Sequence, residues 1–377
     1  SFTLTKTKDN MEQIGIFKSA LEKLNKFTGS KNLVVGFDGF IDEIIHVVDQ
    51  RKNDLEYERI PDIKTFSDRI ASVAGLSANI ELVPTQTKLG GNGPIMANAI
   101  ISQGHAVNYI GAIGKHYIHP VFREFSDACK KVISLTEPGH TDALEFYDGK
   151  LMLGKMNNMV EVSFENLLEK LPMGELKALL AETDLIAFTN WTMLSNLNGI
   201  ITEFGNIIKT LDNKPLVFLD LADPKKRTHD DIRDVLDIIS QIPADTILSM
   251  NLSESTIISL VLGIKEDQLI ARAAQIREKL GIYGIVIHPT NGAAISTRKE
   301  NRWIDGPYTA KPKLTTGAGD NFNAGFCNAW LAGMEPSECL ALGVCSSGYY
   351  VRNAASATRD ELRGFLKQWI EKGLGEI

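Results

Sequence analysis

The sequence KLTTGAGDNFNAGFCNAWLAGM occupies residues 313–334. Two glycines and an alanine at 317–319 lead directly into Asp320, and apolar residues such as Phe322 and Phe326 then recur at helical spacing. A glycine turn that opens a helix presents backbone N–H groups at the positive end of the helix dipole, where phosphates bind. An acid at this junction could accept the proton of a hydroxyl group that attacks the phosphate. By itself the stretch is also compatible with a structural turn in which Asp320 caps the helix.

The composition limits the kinds of partner that the chain can bind. Its 377 residues, 44% of them hydrophobic, suffice for one large α/β domain or two smaller ones. A net charge of −7 argues against a nucleic-acid partner, because no basic excess is present to neutralise a phosphate backbone. No apolar run approaches the ~20 residues of a membrane helix, and the first residues lack a signal-sequence pattern. The four cysteines lack zinc-site spacing, so we expect a cytoplasmic protein without a zinc site.

Helical and strand-like patterns alternate through most of the chain. Short apolar runs typical of buried parallel strands lie at 33–35, 106–114, 185–188, 215–220, 246–250 and 283–288. Helical patterns lie at 11–28, 195–211, 229–240, 253–262 and 266–280, and a late hairpin is formed by 293–296 and 302–305. This alternation predicts a parallel sheet with helices on both faces, within one α/β domain that spans residues 1–377.

Two separate segments have the pattern of a small, exposed β structure. Residues 46–60 alternate loosely and carry many charges, and residues 143–156 read as a hairpin around Asp148 and Gly149. The segment 62–79 reads as a helix. We therefore expect a small β appendage built from two segments.

Glycines, acids and amides gather just after the predicted strands, where ligands of parallel sheets bind. The N-terminal group is rich in acids and amides, which suits hydroxyl recognition as in a sugar, and comprises Asp38, Asp42, Gly90, Gly91 and Asn92. Asp38 is equally compatible with capping a turn. The C-terminal group carries the anion turn and comprises Asn251, Glu254, the turn around Gly292, and 317–320. The carboxylate of Glu254 could hold hydrated Mg²⁺ near phosphates.

The order and spacing of these elements resemble the ribokinase-like, or PfkB-type, family of carbohydrate kinases over nearly the whole chain. The family's GAGD signature is matched by Gly317, Ala318, Gly319 and Asp320, and its NxxE motif by Asn251 and Glu254. A DPxxR-like segment is matched by Asp223, Pro224 and Arg227, the N-terminal di-glycine by Gly90 and Gly91, and the substrate-binding acid by Asp42. One GAGD match is weak evidence, but five elements in the same order are strong.

The resemblance implies a three-layer αβα sandwich with a mostly parallel, Rossmann-like sheet and a small β lid made of segments 43–60 and 141–156. It implies transfer of the γ-phosphoryl group of ATP to a sugar hydroxyl, with Asp320 as general base. The anion hole would consist of the amides of Ala318, Gly319 and Asp320. The nucleotide would be bound by Asn251, Glu254, Asp223, Arg227, Gly292 and Asn353, with Glu254 holding Mg²⁺ through water. Lids of this family sometimes pair subunits into homodimers.

Three positions depart from the family pattern. The Asn that usually holds the sugar falls at Ile95, so Asn92 or Asn98 would have to replace it. A usual glycine of the nucleotide segment is Pro289, and the usual acid of a monovalent-cation site is Leu314, which leaves dependence on such a cation open. Two alternatives to an ATP-dependent sugar kinase follow. One is a catalytically weak, regulatory sugar- or nucleotide-binding protein on the same fold, and the other is an ADP-dependent sugar kinase, which the segment LGGNGPIMANAI somewhat resembles.

Overall fold

Fourteen strands and thirteen α-helices build the protein in the computed structural model, which describes residues 2–375 and 377. The strands are β1 Asn32–Gly36, β2 Phe40–Arg51, β3 Tyr57–Arg59, β4 Leu82–Gly90, β5 Ala106–Gly111, β6 Lys131–Ser134, β7 Gly139–Glu145, β8 Lys150–Lys155, β9 Leu185–Thr189, β10 Leu216–Asp220, β11 Thr246–Met250, β12 Gly284–Ile287, β13 Gly292–Thr297 and β14 Asn301–Asp305. The helices are α1 Phe2–Lys26, α2 Ile63–Ser72, α3 Asn92–Ser102, α4 Arg123–Ala128, α5 Phe164–Lys170, α6 Met173–Ala181, α7 Leu197–Ile208, α8 His229–Ser240, α9 Leu252–Val261, α10 Leu269–Leu280, α11 Ala318–Leu331, α12 Pro336–Asn353 and α13 Arg359–Glu371.

The larger sheet has nine strands in the order β14-β13-β12-β11-β10-β9-β1-β5-β6. Seven of them run parallel, namely β6, β5, β1, β9, β10, β11 and β12. Strands β13 and β14 continue the sheet as an antiparallel hairpin. Most residues of the central strands are fully buried, as expected for strands covered by helices on both faces. The carboxyl ends of the parallel strands therefore meet along one edge, where a ligand can bind.

Helices cover both faces of this sheet. One apolar core lies between the sheet and α1, α3, α11, α12 and α13, and a second lies between the sheet and α5 to α10. The predicted α/β sandwich is thus confirmed, and the strands and helices predicted after residue 180 recur with ends shifted by a few residues. In the described part of the chain, no helix combines the length and apolar character that crossing a membrane requires.

The smaller sheet consists of β3, β2, β7 and β8, with β4 also paired to β2. The two segments expected to form the β appendage lie in it, but a third segment, β4, was not predicted and pairs with β2 along eight residues. Most residues of β4 are exposed and Pro84 interrupts it, so its sequence lacks the alternation that marks a half-buried strand. The helix expected at 62–79 ends at Ser72.

Candidate active site

The candidate site lies where the carboxyl ends of β1, β9, β10 and β11 meet the beginning of α11. Asp38 follows β1, Asn190 follows β9, Asp220 ends β10 and Asn251 follows β11. Asp320 lies in the first turn of α11 and is only 4% exposed. The two groups predicted from the sequence, one acidic and one glycine-rich, are therefore brought together at one edge of the sheet.

The turn before α11 has the geometry of an anion site. Gly317 adopts φ 90°, a left-handed conformation that favours glycine, and an added Cβ would lie 2.8 Å from Oη of Tyr350. The N–H of Ala318 donates to the Thr315 carbonyl at 3.1 Å. Hydrogen bonds among the described residues leave the N–H groups of Gly319 and Asp320 unused. The expected three-amide hole is thus reduced to two free amides, because Ala318 closes the preceding turn.

Asp320 connects this turn to the N-terminal group of residues. Its Oδ1 accepts a hydrogen bond from Nδ2 of Asn92 at 3.0 Å. Burial raises the pKa of the Asp320 carboxyl well above its usual range, and the neighbouring carboxylates of Asp220, Asp38 and Glu254 raise it further. Of the two Asn candidates for the sugar side, Asn92 and Asn98, Asn92 is the one that hydrogen-bonds to the expected base. Ile95 instead packs beneath the turn, since its Cγ2 lies 3.1 Å from where a Cβ on Gly317 would be.

Asp220 is a site residue that the sequence reasoning missed. Its Oδ1 accepts from the N–H of Ala222 at 2.8 Å and its Oδ2 from Nδ2 of Asn323 at 2.7 Å. Burial and the nearby Asp220 raise the pKa of Glu254 to about 8. The one available signal was the position of Asp220 at the end of an apolar strand, the same signal that singled out Asp38.

Glu254 and Asn251 form a reciprocal cap at the start of α9. The Asn251 side chain accepts from the N–H of Glu254 at 3.0 Å, and Glu254 accepts from the N–H of Asn251 at 2.8 Å. This explains the spacing of the NLSE motif, because the two residues must stand three apart to cap each other. The Asp220 carboxylate lies close enough to Glu254 to raise its pKa. Two neighbouring carboxylates supply the oxygen ligands that Mg²⁺ prefers.

Asp38 has a structural role at the start of α3. Its carboxylate accepts from the N–H groups of Asn92 at 2.9 Å and Gly93 at 2.8 Å, and from Nδ2 of Asn190 at 2.6 Å. It is fully buried, and burial raises its pKa to about 6. Of the two roles that the sequence left open for Asp38, substrate contact and capping, these hydrogen bonds support capping, through which Asp38 positions Asn92.

Asp42 lies on β2 of the smaller sheet, between Lys88 of β4 and Thr141 of β7. Burial raises the pKa of its carboxyl, while a hydrogen bond from Thr141 and the charge of Lys88 oppose the increase. An added Cβ at Gly90 would collide with the Asp42 carboxylate, and one at Gly91 would lie 2.9 Å from Asp38. The di-glycine therefore allows the chain to pass close to both acids.

A cleft of about 440 Å³ opens on the other side of the anion turn. Its walls include Asn251 and Gly292, both predicted for the nucleotide, Gly319 of the predicted anion hole, and also Pro289. His288 lines the cleft, and its ring stacks on Phe322 with centroids 4.6 Å apart. Burial lowers the His288 pKa to about 4, and its Nε2 has no hydrogen-bond partner within the described chain. The imidazole is therefore neutral at physiological pH.

Four residues predicted for the nucleotide do not line this cleft: Glu254, which caps α9 as described above, Asp223, Arg227 and Asn353. Asp223 caps a short 3₁₀ turn by accepting from the N–H of Lys225, and the Arg227 guanidinium stacks over Trp191 at 4.2 Å. Asn353 lies in a separate surface depression and donates to the carbonyl of Tyr349 at 2.9 Å. Sequence matching could not reveal which way these side chains point.

Known proteins resemble this chain over nearly its whole length. The family model for prokaryotic ketohexokinases matches residues 10–369. The ketohexokinase of Haloferax volcanii is 26% identical over 359 residues, which cover 94% of this chain and 95% of that protein.

Solved structures show the same fold at lower sequence identity. Ribokinase from Arabidopsis thaliana, in a structure with ribose and ATP, is 18% identical with a TM-score of 0.63, covering 90% of this chain and 99% of its own. Adenosine kinase from Sinorhizobium meliloti is 16% identical with a TM-score of 0.66, covering 90% of this chain and 99% of its own. The fold is thus that of the ribokinase family, as the sequence resemblance implied. The chain belongs to the prokaryotic ketohexokinase family and is an ATP-dependent carbohydrate kinase.

Proposed function

We propose that this enzyme transfers the γ-phosphoryl group of ATP to a hydroxyl group of a ketohexose, with Asp320 as the general base. The observation that carries the proposal is the position of Asp320. Its carboxylate bonds to Asn92 on the acidic side of the site, and its own N–H belongs to the anion turn on the other side. A base placed between acceptor and phosphate is what direct phosphoryl transfer requires. The Haloferax ketohexokinase supports a ketohexose as the acceptor.

Each residue then has a defined task. Asn92 holds one carboxylate oxygen of Asp320, which leaves the other free to accept the proton of the attacking hydroxyl group. The free amides of Gly319 and Asp320 bind the oxygens of the transferred phosphoryl group. The cleft lined by Asn251, Gly292 and Gly319 binds the rest of the nucleotide. The residues thus act by positioning and by stabilising charge, which dominate catalysis of phosphoryl transfer.

Asp220 and Glu254 would hold Mg²⁺, directly or through water. A bound Mg²⁺ neutralises phosphate charge in such kinases. Burial, together with the charge of Asp220, raises the pKa of Glu254 to about 8, and a cation at this place would favour the charged form of both carboxylates. The two carboxylates thereby combine a structural role in the unliganded enzyme with a binding role in the working enzyme.

The acidic side of the site favours an uncharged sugar. Asp42, which lies against Gly90, and Asp320, which bonds to Asn92, are on this side of the site, and ionised carboxylates accept hydrogen bonds from hydroxyl groups. The same charges repel a phosphate already present on the substrate. Asp42, on the smaller sheet, would contact the sugar when that sheet acts as a lid and excludes water.

A screen of nucleotide consumption tests the proposal. Ketohexoses, aldohexoses and the monophosphates of both would be offered with ATP, and with ADP as the control donor. We expect the highest kcat/KM for ATP with an unphosphorylated ketohexose. Turnover restricted to sugar phosphates or to ADP would contradict the proposal. So would thermal stabilisation by sugars without any nucleotide consumption, which would indicate a regulatory binding protein.

A further inference from the structure

One wall of the nucleotide cleft is made of irregular chain. The segment 306–310, with sequence GPYTA, follows β14, and all five of its residues line the cleft. Its backbone forms few hydrogen bonds of its own: the N–H of Gly306 donates to Asn291, and the N–H of Tyr308 donates back to Gly306. A wall without regular structure needs another group to fix its position.

Arg352 supplies hydrogen bonds to this wall from α12. Its Nη1 donates to the carbonyl of Pro307 at 2.7 Å and its Nη2 to the carbonyl of Tyr308 at 3.0 Å. Nη1 also donates to the carbonyl of Gly348, one turn earlier in the same helix, at 3.0 Å. One planar guanidinium thus binds two successive wall carbonyls and a carbonyl of the helix that forms the opposite wall.

A second contact fixes the same segment. A Cβ on Gly348 would collide with the ring of Pro307, so the proline packs directly on the backbone of α12. The Arg352 guanidinium lies over the ring of Phe365 with 5.7 Å to the centroid, and burial lowers its pKa. The guanidinium is thus held by an aromatic ring on one face and by the Ile377 carbonyl, which accepts from Nε at 3.3 Å, while its two Nη groups bind the wall.

We propose that Arg352 is a positioning residue for the nucleotide, which holds the 306–310 wall at the distance from α12 that the nucleoside part of ATP needs. The inference rests on the proposed assignment of the cleft to the nucleotide. The sequence resemblance implied a role in nucleotide binding for Asn353, and the inference assigns such a role to its neighbour Arg352 at the end of α12. Arg352 itself does not line the cleft, so we expect it to act on nucleotide binding through the wall that it holds.

Arg359 provides a matched control. Its Nε donates to the carbonyl of Gln103 at 2.9 Å and its Nη2 to that of Gly29 at 3.0 Å, and its guanidinium lies over Phe27 at 5.0 Å. It therefore makes the same kinds of contact as Arg352, but with segments that do not line the cleft. Replacing either arginine removes hydrogen bonds from a charged donor to backbone carbonyls.

The test compares Arg352→Gln with Arg359→Gln by steady-state kinetics and thermal unfolding. We expect Arg352→Gln to raise the KM for ATP about tenfold, with kcat and the KM for sugar within about twofold of wild type. Arg359→Gln should lower the unfolding temperature and leave both KM values unchanged. Equal KM values for ATP in the two variants would overturn the inference. If Arg352→Gln does not fold, Arg352→Lys and Gly348→Ala test the same wall, and each should raise the same KM.

A further variant separates this inference from the assignment of the cleft. Val351 lines the cleft, and Val351→Phe narrows it without changing Arg352. If Val351→Phe weakens ATP binding and Arg352→Gln does not, the role of Arg352 is wrong while the cleft remains the nucleotide site. If Val351→Phe folds and leaves ATP binding unchanged, the cleft is not the nucleotide site. The assignment of the cleft to ATP and the role of Arg352 then both fail.

Discussion

The hydrogen bond between Asn92 and Asp320 joins the two halves of the site at the level of single residues. Asn92 stabilises the charged form of Asp320 and so opposes the increase in its pKa that burial causes. Asn92→Ala should therefore raise this pKa further and move the acidic limb of the kcat/KM profile to higher pH. At neutral pH we expect kcat/KM to fall about tenfold, as for loss of a hydrogen bond to a charged group.

Asn98 is the control for this prediction. It lies on the same helix and was the other candidate in the sequence, but among the described residues its side chain makes no hydrogen bond to Asp320. Asn98→Ala should leave the pH profile unchanged. An unshifted profile in Asn92→Ala would show that the hydrogen bond does not tune the base.

Glu254 makes the stability of the unliganded enzyme depend on pH. Its folded-state pKa is raised to about 8 from the ordinary 4.5, so the folded protein binds this proton more tightly than the unfolded chain does. Its contribution to stability is therefore full below about pH 4.5 and is lost as the pH rises through about 8.

Because Mg²⁺ binds the charged carboxylates, it should raise the unfolding temperature more at about pH 9 than at about pH 6. The same measurement on Asp220→Ala should show little Mg²⁺ effect; equal stabilisation of both proteins would place the metal elsewhere.

At the scale of elements, the turn that opens α11 depends on one glycine. Gly317→Ala introduces a side chain at positive φ that also meets Tyr350 at 2.8 Å. We expect kcat/KM to fall at least about tenfold, because displacement of the free amides weakens phosphate binding, with a loss of stability of about 1–3 kcal/mol. Gly333, near the other end of the helix, has φ 71° and open space around it. Gly333→Ala should therefore reduce stability alone. Similar kinetic losses in both variants would show that strain, not amide position, explains the effect.

Elements with a strong local sequence pattern could be predicted, whereas the exposed strand β4 could not. The start of α11, the cap of α9 and the central strands follow from glycine position, residue spacing and apolar runs that are local in sequence. Strand β4 was missed because its stability comes from pairing with β2, which is distant in sequence, and not from an alternating pattern of its own. The use of the Ala318 amide was also unpredictable, since it depends on the path of the chain at Thr315.

Whole-molecule topology explains which site residues could be found. Because parallel strands end at one edge of the sheet, the sequence could predict that Asp38, after β1, and Asn251, after β11, would lie at the same edge. It could not predict that Asp38 is enclosed by three donors or that Asp220 neighbours Glu254. Those facts depend on strand order, which a single sequence does not contain.

The smaller sheet leads to a prediction about assembly. Its strand β8 is an edge strand, and Met152 and Leu153 on it are 55% and 51% exposed. Unpaired edges with apolar side chains pair with other chains, so a homodimer through the lid remains our expectation. Light scattering should give about twice the 41.5 kDa chain mass. The double variant Met152→Lys/Leu153→Lys should have half this measured mass, because lysines at the edge strand would prevent pairing. Leu260→Lys, at an exposed site on α9, should leave the measured mass unchanged. A monomeric wild-type enzyme would contradict this expectation.

The turnover of Asp320→Asn tests the central claim most directly. The asparagine can still accept the hydrogen bond from Asn92, and it removes a carboxyl whose charged form is disfavoured by burial, so the variant should fold and be at least as stable as wild type. We predict that kcat with ATP and a ketohexose falls by about 10²–10⁴, the range typical for loss of a general base, while the dissociation constant for ATP changes little. A folded Asp320→Asn enzyme with kcat within about tenfold of wild type would contradict the assignment of Asp320 as the base.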